Sequence, residues 1–150
     1  LLQSGAKHVF ALDVGYGQLD VRLRDDPRVT VMERTNARYL KAAALDPQPN
    51  FVVIDVSFIS VRLLLPTLAE QLPTAELLIM VKPQFEVGRG QVGKGGVVRD
   101  PELRAAAVAA VKQCAEALRW TAVGDAESRL AGPKGNREIF VRFAPRPVDT

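Results

Sequence analysis

Cysteine, histidine and long apolar runs are nearly missing from this chain of 150 residues, and each shortage removes a class of function. The single Cys114 cannot close an internal disulfide. Its spacing from Leu103, Ala107, Val111 and Leu118 puts it on the apolar face of a helix, where it reads as buried filler and not as a nucleophile. The single His8 has no cysteine or histidine partner at metal-ligand spacing, so no metal centre is expected and His8 reads as a satisfied structural or surface residue. No apolar run approaches the roughly 18 residues needed to span a bilayer. No signal-type segment opens the chain, and the cytoplasm is the simplest compartment. Internal repeats and low-complexity tracts are absent too.

What is present suits one α/β domain, residues 1–150, large enough to bury about two thirds of its unfolded surface. Net charge is +3 with a pI near 9.3, and Arg34, Arg38, Arg89, Lys94 and Arg99 fall in expected loops. That balance suits a polyanionic partner without specifying one.

Leu1 to Gly5 reads as the last turn of a helix closed by a glycine cap. After it come a strand ending at Asp13, a helix from Gly17 to Arg24 and a strand from Val29 to Met32. Phe51 to Ile54 is a continuous apolar run, as expected of a strand covered on both faces. A helix starting at Ser60 follows, with Pro66 kinking it from within. Leu77 to Val81 is the next central strand. Residues 82–99 hold five glycines and no periodicity, a long loop of the kind that is functional or disordered. Asp100, Pro101 and Glu102 then punctuate a helix start, and the helix runs to about Leu118. A strand over Thr121 to Val123, a polar stretch from Gly124 to Arg137, a strand over Glu138 to Phe143 and a frayed tail containing Pro145 and Pro147 complete the chain. The alternation predicts a mostly parallel sheet with helices on both faces and one antiparallel strand.

Three residues stand at expected strand ends: Asp55 after Phe51-Val-Val-Ile54, Lys82 after Leu77-Leu-Ile-Met-Val81, and Glu138 before Ile139-Phe-Val-Arg-Phe143. Parallel α/β sheets gather their carboxyl-terminal strand edges into one crevice, where an acid, an amine and a second acid would make a site. Each also has a bland reading, as a cap or a solvated strand-end charge. Asp13 ends the first strand and is balanced between a ligand for ribose hydroxyls and a helix cap. In Gly15-Tyr-Gly17 a dinucleotide fingerprint begins but lacks its third glycine. The basic residues Arg89, Lys94 and Arg99, among glycines that permit close approach, suit phosphate contact or a solvated flexible loop equally.

Several segments in order, Val9-Phe-Ala-Leu-Asp-Val-Gly-Tyr-Gly-Gln-Leu19, Met32-Glu-Arg-Thr-Asn-Ala-Arg38, Ile54-Asp-Val-Ser-Phe-Ile-Ser60, Met80-Val-Lys-Pro-Gln-Phe-Glu86 and Gly132-Pro-Lys-Gly-Asn136, resemble the methyltransferase domain of the TlyA proteins, often labelled haemolysins, within the wider FtsJ-like group. The resemblance covers Leu1 to about Phe143. It implies a Rossmann-like sheet and an S-adenosylmethionine-dependent enzyme that methylates cytidine 2′-hydroxyls of 16S and 23S ribosomal RNA, with rRNA or ribosomal subunits as partners. By resemblance, Asp55, Lys82 and Glu138 match three members of a Lys-Asp-Lys-Glu tetrad. Asp13 matches the acid that holds the cofactor ribose, Asn36 lies where the group has a residue near the adenine, and Asp55 borders the cofactor as well. Two departures accompany it. The family's first strand with its glycine-rich cofactor loop, and the first tetrad lysine, have no match here, and neither has its S4-like N-terminal RNA-binding domain. The chain is therefore expected to be part of a longer protein, its sheet lacking the first strand. Two rival functions stand beside methyl transfer: a non-catalytic RNA-binding module resting on the basic loop, and a membrane-active haemolysin, against which the lack of a spanning segment counts.

Overall fold

Short apolar runs ended by a charged or turn residue become strands in this chain, and the order of those strands decides which charges meet. The computed structural model describes residues 1–132 and 134–147. They form two compact units, Leu1–Pro49 and a second opening at Asn50.

In the first unit a 3-10 turn, Leu2–Ser4, closes on Gly5 at φ +92°, the glycine cap expected there. Strands β1 (Val9–Leu12) and β2 (Val29–Met32) pair in parallel, with Val9 opposite Val29 and Leu12 opposite Met32. His8 is a satisfied structural histidine, its Nε2 lying 2.9 Å from Thr30 Oγ1 and its ring edge-on to Phe10. Helix α1 is only Val21–Arg24, shorter than the expected Gly17 to Arg24. The reason is local: Gly17 sits at φ +70° and gives its N–H to Glu33, while Asp20 takes the Arg22 N–H and opens the helix three residues later.

The second unit contains a four-stranded sheet in the order β3-β4-β6-β5, built from β3 (Phe51–Ile54), β4 (Glu76–Val81), β5 (Trp120–Glu127) and β6 (Ile139–Pro145). β3 and β4 are parallel, and β6 runs against both β4 and β5. One antiparallel strand in a mostly parallel arrangement is what the sequence pattern predicts. Leu77, Ile79 and Val81 are buried with Val141 and Phe143, and with Leu65 and Leu68 of helix α2 (Leu65–Gln71) and Ala107, Val111 and Ala115 of helix α4 (Pro101–Ala117); the one-turn helix α3 (Pro83–Glu86) follows β4. Trp120 is buried with them and donates its indole N–H to the Ala75 carbonyl at 2.9 Å.

Three expectations change here. Ser60 caps a 3-10 turn, Val61–Leu63, and α2 (Leu65–Gln71) starts after it, so Pro66 occupies a first-turn position where its missing N–H costs nothing, and no kink results. β5 extends through Gly124–Glu127, read from sequence as a polar stretch, because those residues pair with β6 on an exposed edge that accepts polar side chains. β3 is an edge strand of its sheet, and Phe51 and Val53 stay open on one face instead of being covered. Helix α4 (Pro101–Ala117) opens as its punctuation predicts, with Asp100 accepting the Glu102 N–H at 2.8 Å. Cys114 is half-buried on it, and burial pushes its thiol pKa up, as suits a packing residue. Pro145 belongs to β6, while the end of the expected tail, residues 148–150, lies outside the described residues, as does Pro133 of the Gly132 to Asn136 motif.

Candidate functional site: an acid, amine and acid at one sheet edge

Asp55 follows β3 directly and Lys82 follows β4, so the parallel pairing brings both to the carboxyl-terminal edge of the sheet. Glu138 precedes β6, and because β6 is reversed its first end lies at that same edge. The antiparallel register pairs Val81 with Ile139; one step further sets Lys82 opposite Glu138. All three line one open cleft of about 620 Å³, with Met80 and Phe140 on its floor and the segment from Glu127 to Gly132 along one side.

Lys82 is the best-held of the three. Its side chain is 13% exposed, and its Nζ lies 2.6 Å from Asp55 Oδ1 and donates to Ser57 Oγ at 3.0 Å. Asp55 is itself 65% exposed, so the pair joins a sheltered cation to a solvated anion. Glu138 is buried and receives a long hydrogen bond, 3.5 Å, from the Gln84 amide. The Gln84 oxygen is buried without a hydrogen-bond partner among the described residues. Gly132 leaves room for the Glu138 carboxylate, since a Cβ there would lie 3.3 Å from Oε1.

Beneath the cleft the Asp55–Ser60 turn is pinned by a residue the sequence reading passed over. Glu86, its side chain 2% exposed, accepts from Ser60 Oγ at 2.6 Å, Val61 N at 2.7 Å and Arg62 Nε at 3.2 Å. Phe58, in the same turn, holds φ +68° and is 88% exposed, tilted against Phe85 with centroids 5.3 Å apart. A bulky residue in left-handed backbone with an uncovered ring is a feature of functional turns, and only its place within the Ile54 to Ser60 motif hinted at it.

Arg89, Lys94 and Arg99 are exposed and make no hydrogen bond or ion pair with other described residues. The loop that carries them is ordered by Asn136, buried, whose Oδ1 accepts from Val98 N at 3.0 Å and whose Nδ2 donates to the Gly96 carbonyl at 2.8 Å. Gly93 is required inside it, since a Cβ would come within 2.8 Å of the Val97 carbonyl oxygen.

Asp13 and Asn36 belong to the first unit. Asp13 follows β1; its Oδ1 accepts the Gly15 N–H at 2.6 Å and its other oxygen has no hydrogen bond among the described residues. Asn36 caps the 3-10 turn Ala37–Tyr39 through Oδ1, and its amide N–H groups have no hydrogen bond among the described residues. The Tyr16 ring lies exposed under the Arg34 guanidinium, 4.6 Å from its centroid. Glu33 fixes this region: Arg24 at 2.5 Å, and then the Gly17 N–H, hold its carboxyl below the usual carboxylate range against the burial that raises it. A carboxylate acceptor, amide donors and an aromatic surface are a set of groups that fits a nucleoside. Among the described residues no cluster of three or more His, Cys, Asp or Glu is placed to hold a metal ion, and no helix is long and apolar enough to cross a membrane.

A mixed sheet with acid, amine and acid at its carboxyl-terminal edge, and in the other unit a parallel pair whose first strand ends at Asp13, is a Rossmann-like α/β arrangement. The comparisons identify the group within that class. Residues 1–144 match the FtsJ-like methyltransferase family, and the chain belongs to that family. It is 54% identical over 142 residues to the 16S/23S rRNA (cytidine-2′-O)-methyltransferase TlyA of Mycobacterium tuberculosis, covering 94% of this chain and 53% of that protein. Two solved structures carrying a hemolysin label superpose with TM-score 0.90. One, from Lactococcus lactis, is 43% identical, covering 95% of this chain and 69% of its own. The other, from Streptococcus thermophilus, is 38% identical, covering 97% and 53%. The chain spans about half the length of the curated relatives it matches.

Proposed function

We propose that the intact protein methylates a ribose 2′-hydroxyl of ribosomal RNA, with cytidine as the acceptor nucleoside, and that Asp55, Lys82 and Glu138 act at the reacting hydroxyl. The observation that carries this reading is the Lys82 ammonium, sheltered to 13% exposure and set against Asp55 at 2.6 Å in the cleft that Glu138 also lines. A ribose hydroxyl is a weak nucleophile, and an amine placed beside it can orient it and take its proton. Asp55 fixes where that amine points, and Glu138 adds a second acceptor across the cleft.

S-adenosylmethionine, when bound, supplies an activated methyl group. Asp13 would take its ribose hydroxyls through the carboxylate oxygen that has no hydrogen bond among the described residues, and Asn36 would offer amide N–H groups to its base. Arg89, Lys94 and Arg99, exposed and without an ion pair among the described residues, would contact phosphates. The open Phe58 ring offers a face on which an unpaired base can stack.

Methyl transfer from labelled S-adenosylmethionine to unmodified ribosomal subunits, by the intact protein, tests the reading. Lys82→Ala is expected to lower the rate at least about a hundredfold while leaving salt-dependent RNA binding intact. Undiminished methylation by the variant would remove Lys82 from the reaction, and RNA binding without any response to S-adenosylmethionine would favour a binding module.

A further inference from the structure

An ammonium has three N–H directions, and the structure accounts for two of them at Lys82. One meets Asp55 Oδ1 at 2.6 Å and the other meets Ser57 Oγ at 3.0 Å. Both acceptors stand on the turn that follows β3, two residues apart. The parallel register pairs Phe51 with Glu76 and Ile54 with Ile79; the same offset carried past the strand sets Ser57 level with Lys82. The hydroxyl is therefore brought to the amine by the sheet's own pairing. The lysine stem is mostly buried, so the amine cannot swing away when one acceptor is lost; it can only turn about its last bonds.

Resting on the catalytic reading above, we infer that Ser57 is a positioning residue for methyl transfer: with Asp55 it fixes the Lys82 amine so that one nitrogen position is left open towards the acceptor hydroxyl. In the proton step the ribose O–H bond breaks and an N–H bond forms on Lys82 in its neutral form. Asp55 alone leaves the amine free to rotate about its contact; Ser57 supplies the second point that sets its direction. The other charged groups around the amine are Glu138 at the start of β6, and Glu127 and Arg129 at the end of β5 and beyond it, all lining the same cleft. None of them substitutes for Ser57, because they come from the other side of the sheet edge and Glu127 is engaged by Arg137 at 2.5 Å.

The test uses Ser57→Ala and Ser57→Thr in the intact protein, read as the split between kcat and KM for S-adenosylmethionine on unmodified ribosomal subunits. Ser57 is exposed, so the alanine variant folds. In Ser57→Ala kcat is expected to fall about tenfold while KM for the cofactor changes less than about twofold, and Ser57→Thr restores the lost rate. An unchanged kcat in Ser57→Ala, or a threonine variant that fails to restore the rate, overturns this inference and leaves the catalytic reading in place. Undiminished methylation by Lys82→Ala overturns the catalytic reading and takes this inference with it.

Discussion

Replacing Glu86 by alanine should damage the protein more than any single substitution at the lip of the cleft. Its carboxylate accepts three hydrogen bonds, from Ser60 Oγ, Val61 N and Arg62 Nε, and its side chain is 2% exposed. The Val61 N–H is the costly one, because Val61 is itself 2% exposed and would be left buried without an acceptor, at about 1–3 kcal/mol. Arg62 contributes less: its side chain is 40% exposed and can return to water, so its ion pair is discounted to at most about 1 kcal/mol. The expected loss is about 3 kcal/mol, which for a chain of this size lowers Tm by about 6–12 °C. Glu86→Gln keeps an acceptor for Val61 and should lose only about 1 kcal/mol. Urea unfolding followed by Trp120 fluorescence reads the right unit, since Trp120 is the only tryptophan and is buried in the second unit's core. An alanine variant within about 1 kcal/mol of the parent, or a glutamine variant as unstable as the alanine one, would refute the idea that this carboxylate holds the turn.

Two further outcomes follow from the same bookkeeping. Asn136→Ala removes the acceptor of the Val98 N–H and the donor to Gly96, and should cost about 2 kcal/mol while raising amide exchange across residues 88–99; unchanged exchange there would count against Asn136 as the loop's anchor. In the first unit Arg28 holds the Asp26 carboxyl down to about 2, and Asp20 and Glu33 are lowered by Arg22 and Arg24. Carboxyls with depressed pKa stabilise the fold above their unfolded values and stop doing so as pH falls through the folded ones. Arg28→Gln should therefore be less stable than the parent at pH about 6, with the gap shrinking as pH falls through about 2. Near-UV signals of Tyr16 and Tyr39, the two tyrosines, follow this unit, and a variant gap that persists at the acid end would reverse the sign argument.

Most of the sheet edge was readable because its strands announce their own ends. Phe51 to Ile54 runs apolar until Asp55 stops it, and Leu77 to Val81 runs apolar until Lys82; the folded strands end at those same residues. Features set by partners distant in sequence were not readable. Gly124, Asp125 and Glu127 have no strand-forming pattern of their own, and they are extended because β6 pairs with them. The Ser60 helix start failed for a related reason, since Glu86, 25 residues downstream, takes the Val61 N–H and sets where that segment turns. Ser57 and Phe58 lie inside the Ile54 to Ser60 motif, but their places depend on a register offset and a backbone angle that residue types do not carry.

The reversal of β6 is what makes a three-residue site possible in this chain. Asp55 and Lys82 leave the carboxyl ends of parallel strands, so a glutamate at the beginning of a third parallel strand would lie at the opposite edge. Across the seven residues of β6 that displacement would be about 20 Å. Running β6 backwards moves its first end to the Lys82 side, and the pairing of Val81 with Ile139 sets the level. A single antiparallel strand, which in sequence is only an alternating run after a polar stretch, thus converts a strand-opening glutamate into a neighbour of a strand-ending lysine. The hairpin between β5 and β6 then has a second consequence. The two ends of its connection meet at the same edge, where Ser128 N donates to the Glu138 carbonyl at 2.8 Å and the segment from Ser128 to Gly132 walls the cleft. Changing the length of that connection would therefore reshape the cleft without touching Asp55, Lys82 or Glu138, and the sheet beneath would keep its register.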